Sequence, residues 1–275
     1  MSQYGLPIIY TLFVWWFSTG LILYLDGLPR HTFRWSLLGA TFVLAGALYG
    51  LASSKTDNSV AGAYLAFTCG VLAWAWQEVG FLLGYVTGPR QIASPPGCSA
   101  WRHLICALQA ILYHELALVA IGAAVIAVTW SGSNQVGTWT FLILWAMRQS
   151  AKLNLFLGVR NLNESFLPEH LRYMQSYFKR RRMNLLFPIS VSASSFLVAL
   201  VWSGAFSNSS TPFEVAGLTF AGTLLSLAIL EHWFLVLPLP SERLWSWGLR
   251  SRAAPARGAA TDLRNADTAS KGAHA

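Results

Sequence analysis

The sequence predicts an all-α polytopic membrane protein, a bundle of about seven transmembrane helices with the N-terminus outside and the C-terminus inside. Three observations predict it. Hydrophobic residues make up 55% of the 275 positions. Charged residues make up 11%, against about 25% in a soluble globular domain. Every Lys and Arg but one falls in alternate inter-span segments, at the end of the fifth span or in the tail, the asymmetry that orients a polytopic chain. A soluble two-domain enzyme and a disordered chain are both excluded on this composition.

A helix needs about 20 apolar residues to cross the hydrocarbon core. Seven runs meet that need in order: 6–25, 35–51, 60–86, 104–130, 138–157, 185–206 and 213–237. The first has no basic residues before it and no small-residue cleavage site after it, so it reads as a retained span and not as a leader. The second is the shortest. The third contains Glu78, the fourth His114 and Glu115, the fifth Arg148 and Lys152, and the seventh Glu231 and His232; the sixth is free of charge. Residues 1–249 form the membrane domain on this reading.

Of the 19 Lys and Arg, Lys55 alone falls between spans two and three. The others lie between spans one and two, three and four, five and six, within the end of span five, or after span seven. Adding or removing one span would scramble that alternation. The net charge of +8 therefore points to a membrane surface and not to nucleic acid. Trp35, Trp101, Trp130, Trp139, Trp245 and Trp247 fall at expected interfaces, where an amphipathic ring prefers to sit. Cys69, Cys98 and Cys106 have neither metal spacing nor a disulfide pattern.

The longest loop, 158–184, is expected inside. Pro168 suits the first position of a helix. Leu167, Leu171, Met174 and Phe178 then follow at spacings of 4, 3 and 4, an apolar stripe on a helix of about three turns. Lys179, Arg180, Arg181 and Arg182 come next. Such a helix is expected to lie in the interface plane, with its basic run on anionic headgroups. The tail, 250–275, is rich in Ala, Gly, Arg, Asp and Thr and is expected to be disordered.

Ionisable residues at membrane depth cost about 2.5–3.5 kcal/mol each on insertion scales. Glu78, His114, Glu115, Arg148, Lys152, Glu231 and His232 come from four spans at overlapping depth, in the half nearer the basic loops. Arg148 and Lys152 share a face at i, i+4 and repel unless carboxylates resolve them. One buried polar cluster is expected. It could be a helix-fixing ion-pair network, a carboxylate–histidine metal site, a pigment contact through His114 or His232, or a proton path. The Glu-x-x-His pair of di-iron bundles is absent, and no metal ligand set is assigned. Walker A, GxGxxG, HExxH, CxxC and GxSxG motifs are absent too, so no catalytic residue is assigned. Asn161, Asn163, Glu164, Glu169 and His170 give the inner loop its hydrogen-bonding groups and make it the expected partner surface.

Three stretches together carry a family resemblance: Lys152 to Tyr173 (KLNLFLGVRNLNESFLPEHLRY), Glu231 to Pro240 (EHWFLVLPLP), and Trp76 to Phe81 (WQEVGF) with Tyr113, His114 and Glu115. They resemble the photosynthetic complex assembly protein 2 family, encoded beside the reaction-centre H subunit in phototrophic bacteria. Arg160 stands where the family pattern has Pro. The resemblance covers nearly all of the chain except the tail. It implies a non-catalytic assembly factor of the bacterial inner membrane, with reaction-centre or antenna subunits as partners and bacteriochlorophyll, or the enzymes that make it, as transient company. A membrane metalloenzyme of pigment metabolism and a proton-coupled transporter are the alternative readings.

Overall fold

The structure is a computed structural model and describes residues 2–252. Seven long helices follow one another: α1 (Ser2–Asp26), α2 (Phe33–Ser54), α3 (Val60–Leu82), α4 (Ala100–Thr129), α5 (Val136–Leu157), α6 (Leu186–Ala205) and α7 (Pro212–Val236). No strand occurs among the described residues. Six of the seven are long and apolar enough to cross a membrane; α5 is the exception in composition, though its 22 residues match α2 in length. The chain is a multi-pass, all-α membrane protein.

Local chemistry sets the helix starts. Ser59 Oγ accepts from the Gly62 N–H at 3.0 Å to open α3, and Ser99 Oγ accepts from Arg102 at 3.4 Å to open α4. Helix α7 opens on a reciprocal cap: Thr211 Oγ1 accepts from the Glu214 N–H, and Glu214 Oε2 accepts from the Thr211 N–H at 2.7 Å, with Pro212 leading the first turn. Helix α2 is longer than its apolar run at both ends. Helix α3 stops short of the apolar run that contains it. Gly84 turns there with φ +84°, and the N–H groups of Tyr85 and Val86 both return to the Gly80 carbonyl.

Helix α3 is the hub. It packs on α1, α2, α4, α5 and α7, while α6 sits outside against α7 and α5. Helices α3 and α5 approach closely. A Cβ on Gly137 would lie 2.2 Å from Leu51 and 2.7 Å from the Ala66 carbonyl, so only glycine permits this approach. Around it pack Leu51, Ala66, Ala73, Trp74, Leu118, Val125 and Phe141. Between α3 and α7, Phe67 stacks on Phe220 with centroids 4.4 Å apart.

The connections form two end layers. In one, Asn134 Nδ2 reaches the carbonyls of Ser54, Asp57 and Gly62, tying the α4–α5 turn to the α2–α3 turn. In the other, the segments after α1, α3, α5 and α7 meet. Arg252 forks onto both oxygens of Asp26 at 2.8 Å and donates to the Phe166 carbonyl at 3.0 Å. Arg90 Nε donates to Tyr177 Oη at 2.9 Å. Thus α5 begins in the first layer and ends in the second, although its composition alone would not make it a span. Lys55 is the one Lys or Arg of the first layer among the described residues.

Two expectations change. The 158–184 loop holds no α-helix. Its helical turns are two 3₁₀ segments, Glu164–Phe166 and the nine-residue Glu169–Tyr177, the latter preceded by Pro168. With three residues per turn, positions three apart share a face. Leu171, Met174 and Tyr177 therefore replace the α-spaced stripe, and all three are buried. Leu171 and Met174 pack on Leu23, Phe81, Leu82 and Trp245, so the segment caps the end of the bundle instead of lying on lipid. Second, the tail does not begin at Arg250. Residues 246–252 are helical, held by Arg252. The rest of the expected disordered tail lies outside the described residues.

Candidate functional site

Arg148 and Lys152 sit one turn apart on α5 and take different partners. Arg148 Nη2 donates to Glu78 Oε2 of α3 at 3.0 Å. Lys152 Nζ donates to Glu115 Oε1 of α4 at 2.7 Å. Gln149 donates to the second oxygen of Glu115, and Gln77 Nε2 donates to Glu78 Oε1 at 3.2 Å. Lys152 also lies within electrostatic reach of Glu78 and Arg148. One network thus binds α3, α4 and α5, and the two like charges are each matched by a carboxylate.

Glu231 makes no hydrogen bond to this network, although it lies within electrostatic reach of Arg148 and Glu78. It is exposed, and its Oε1 accepts from the Trp15 indole N–H of α1 at 2.7 Å. It belongs to none of the ion pairs among the described residues. Three membrane-embedded carboxylates face two cations, and Glu231 is the one left over. Sequence order could not show this, because depth along a helix fixes height and not facing.

The two histidines differ. His232 is fully engaged: Nδ1 contacts the Ala228 carbonyl at 2.8 Å, and Nε2 contacts Ser150 Oγ at 2.8 Å. Nδ1 must therefore carry the proton and donate, and Nε2 accepts from the hydroxyl. His114 is turned away from its neighbour Glu115 by the helix, about 100° per residue, and lies against Phe81 with centroids 4.5 Å apart. It is 1% exposed, and neither ring nitrogen has a protein partner.

A pigment macrocycle needs an open face at its ligating imidazole. His232 has no free nitrogen, and His114 is enclosed on all sides, so neither fits axial ligation in this arrangement. Among the described residues no three His, Cys, Asp or Glu side chains converge as a metal-binding group.

The loop residues are placed as follows. Asn161 is structural: its N–H donates to the Leu235 carbonyl at 2.9 Å and its Nδ2 to the Phe234 and Leu237 carbonyls, closing the end of α7. Asn163 adopts a left-handed turn at φ 50°. Glu164 pairs with Arg180 at 2.7 Å on the surface. Glu169 is exposed, while His170 Nε2 donates to the Leu82 carbonyl at 2.9 Å and so closes the end of α3. Burial and the neighbouring Arg30 and Arg252 hold the His170 imidazole below its ordinary range, against a rise from the Leu82 bond.

The basic run is extended. Val159 accepts from Arg181 and donates to Lys179, a single parallel bridge beside the end of α5. Lys179 Nζ lies 5.6 Å from the Phe156 ring, and Arg181 and Arg182 are exposed.

Between this loop and the segment after α7 lies an open groove of about 430 Å³, lined by Arg160, Asn163, Glu164, Arg180, Pro240 and Glu242 among others. The sequence reading missed Trp15, Gln149, Ser150 and the Asp26–Arg252 pair. Gln149 had a signal, since it lies i, i+3 from Lys152 on the face that must meet a carboxylate; the other three had none.

No solved structure matches the chain. It is 39% identical over 262 residues to a Rhodobacter capsulatus protein described as "Uncharacterized 30.4 kDa protein in puhA 5′ region", covering 93% of this chain and 94% of that one. Residues 1–256 match the family described as "Protein of unknown function (DUF3623)". On a match that spans all seven helices and both end layers, the chain belongs to the DUF3623 family.

Proposed function

We propose that this protein is an integral-membrane assembly factor for the bacterial photosynthetic reaction-centre and light-harvesting complex. The observation that carries the reading is the place of its Rhodobacter relative, in the 5′ region of puhA, the reaction-centre H gene. The resemblance to the photosynthetic complex assembly protein 2 family supports it. The protein sits in the bacterial inner membrane with its basic layer on the cytoplasmic side. Its groove between loop 158–184 and the segment after α7 meets a nascent reaction-centre or antenna subunit. Its influence on bacteriochlorophyll runs through supply or delivery to those partners, not through ligation by His114 or His232.

Deleting the gene in its phototrophic host and recording near-infrared absorbance of the membranes tests this. Reduced reaction-centre and antenna bands, restored by the wild-type gene, are expected. Unchanged bands would remove the reading.

A proton-coupled transporter is the second reading. It is favoured by titratable side chains at membrane depth outside the ion pairs, His114 and Glu231 among them. Proteoliposomes holding a pH-sensitive dye would then show proton entry that Glu231→Gln abolishes. Equal, background-level entry for both proteins would end that reading.

A further inference from the structure

A second cavity, about 210 Å³, opens where the ends of α2 and α3 meet the 3₁₀ cap. It is lined by Arg30, Phe33, Leu83, Gly84, Gln91, His170, Leu171 and Tyr173. Its chemistry is lopsided. Its polar lining is a guanidinium, a carboxamide, a phenol and an imidazole. Its apolar lining includes Phe33 and Leu171, both buried. No carboxylate lines it, and Arg30 belongs to none of the ion pairs among the described residues. The buried acid Asp26 is already taken by Nε and Nη2 of Arg252. His170 spends Nε2 on the Leu82 carbonyl, which leaves Nδ1 as its remaining polar atom. The cavity lies at membrane-interface height, since Phe33 opens α2 and Leu83 follows the end of α3. Arg34, with its guanidinium 5.2 Å from the Trp35 ring, sits beside it on the exposed side.

We propose that this cavity binds one phosphate-type oxyanion, with the guanidinium of Arg30 as its counter-charge and Gln91 as a neutral donor. An unmatched cation beside donors and an apolar lining suits a tetrahedral anion attached to an acyl chain, whose tail would leave along the exposed Leu38 and Phe42 of α2. Free phosphate shares the headgroup chemistry and lacks the tail. The site differs from the basic run 179–182, whose Arg180 is already paired with Glu164.

The test uses the full chain in neutral detergent, followed by thermal unfolding. One arm adds short-chain phosphatidylglycerol, the other inorganic phosphate at the same concentration. The wild type is expected to gain stability. In Arg30→Gln the apparent affinity should fall about tenfold, the worth of one charge-assisted hydrogen bond, whereas Arg34→Gln should bind as the wild type does. A gain with the lipid and none with inorganic phosphate identifies a lipid headgroup as the source. Equal gains identify the free anion, and the oxyanion site stands in both cases. No gain in either arm, or an undiminished gain in Arg30→Gln, overturns it.

Discussion

Arg148 and His114 show how differently two polar side chains at membrane depth can weigh on the same bundle. Glu78 is nearly enclosed and depends on Arg148 for its counter-charge. Arg148→Ala strands that carboxylate and should cost about 3–5 kcal/mol. Membrane abundance of the variant, measured by immunoblot at matched transcript level, is expected to fall severalfold, and the double variant with Glu78→Gln should recover part of it. Normal abundance of the single variant would contradict the pairing. For His114 the expectation reverses. Its nitrogens bond to nothing in the protein and its ring already packs on Phe81, so His114→Phe should leave the unfolding temperature equal or higher. His232→Phe removes the Ser150 and Ala228 bonds and should lower stability by about 1–3 kcal/mol. Similar melting of the two variants would undo the contrast. The sequence showed both histidines as embedded candidates of one kind, because a residue's depth is written in its position while its bonding depends on neighbouring helices.

The 3₁₀ segment Glu169–Tyr177 is the element whose sequence reading failed most instructively. An apolar stripe beside a basic run satisfies an interfacial α-helix and a bundle cap alike. What decides is turn geometry: three residues per turn bring Leu171, Met174 and Tyr177 onto one face, and that face has Leu23, Phe81 and Cys106 to cover. The cap is fastened at its start by His170, whose neutral ring donates to the Leu82 carbonyl. The burial of this ring carries a pH dependence. Burial lowers the folded pKa of His170 from its ordinary 6.5, so the unfolded chain takes up a proton first. The contribution is complete above about pH 6.5 and is lost as pH falls toward the lower folded value. In phosphate-free buffer, wild-type stability should drop more than that of His170→Gln between about pH 7.5 and 5.5. Parallel curves for the two proteins would show that burial does not disfavour the charged form of His170. By contrast, α3 and α7 begin within a residue of their apolar runs, while α4 begins four residues before its own, where Ser99 caps it.

At the scale of the whole molecule, seven helices were legible from apolar runs and from the Lys/Arg alternation, and α3 as the hub was not. The burial of most of α3 is aided by small residues that admit close neighbours, such as Ala66 on α3 and Gly137 on the facing α5, and apolar composition does not distinguish a central helix from a lipid-facing one. The remaining question of sidedness turns on α5. If α5 crosses the membrane, Ser133 in the α4–α5 turn and Arg182 in the basic layer lie on opposite sides, and the basic layer gathers inside as Lys and Arg prefer. If it does not, both lie on one side and the chain spans six times. Its route from the Asn134 clasp to the Val159 bridge argues for crossing, and its charges are tolerable there because Glu78 and Glu115 match them. Cysteines placed singly at the exposed positions Ser133 and Arg182, in a chain with Cys98→Ser and with Cys69 and Cys106 buried, would report this in cells with a permeable outer envelope. A membrane-impermeant maleimide should label the Ser133 position before lysis and the Arg182 position only after it. Labelling of both positions before lysis would remove α5 as a span, and with it the inside placement of the groove and of the oxyanion cavity.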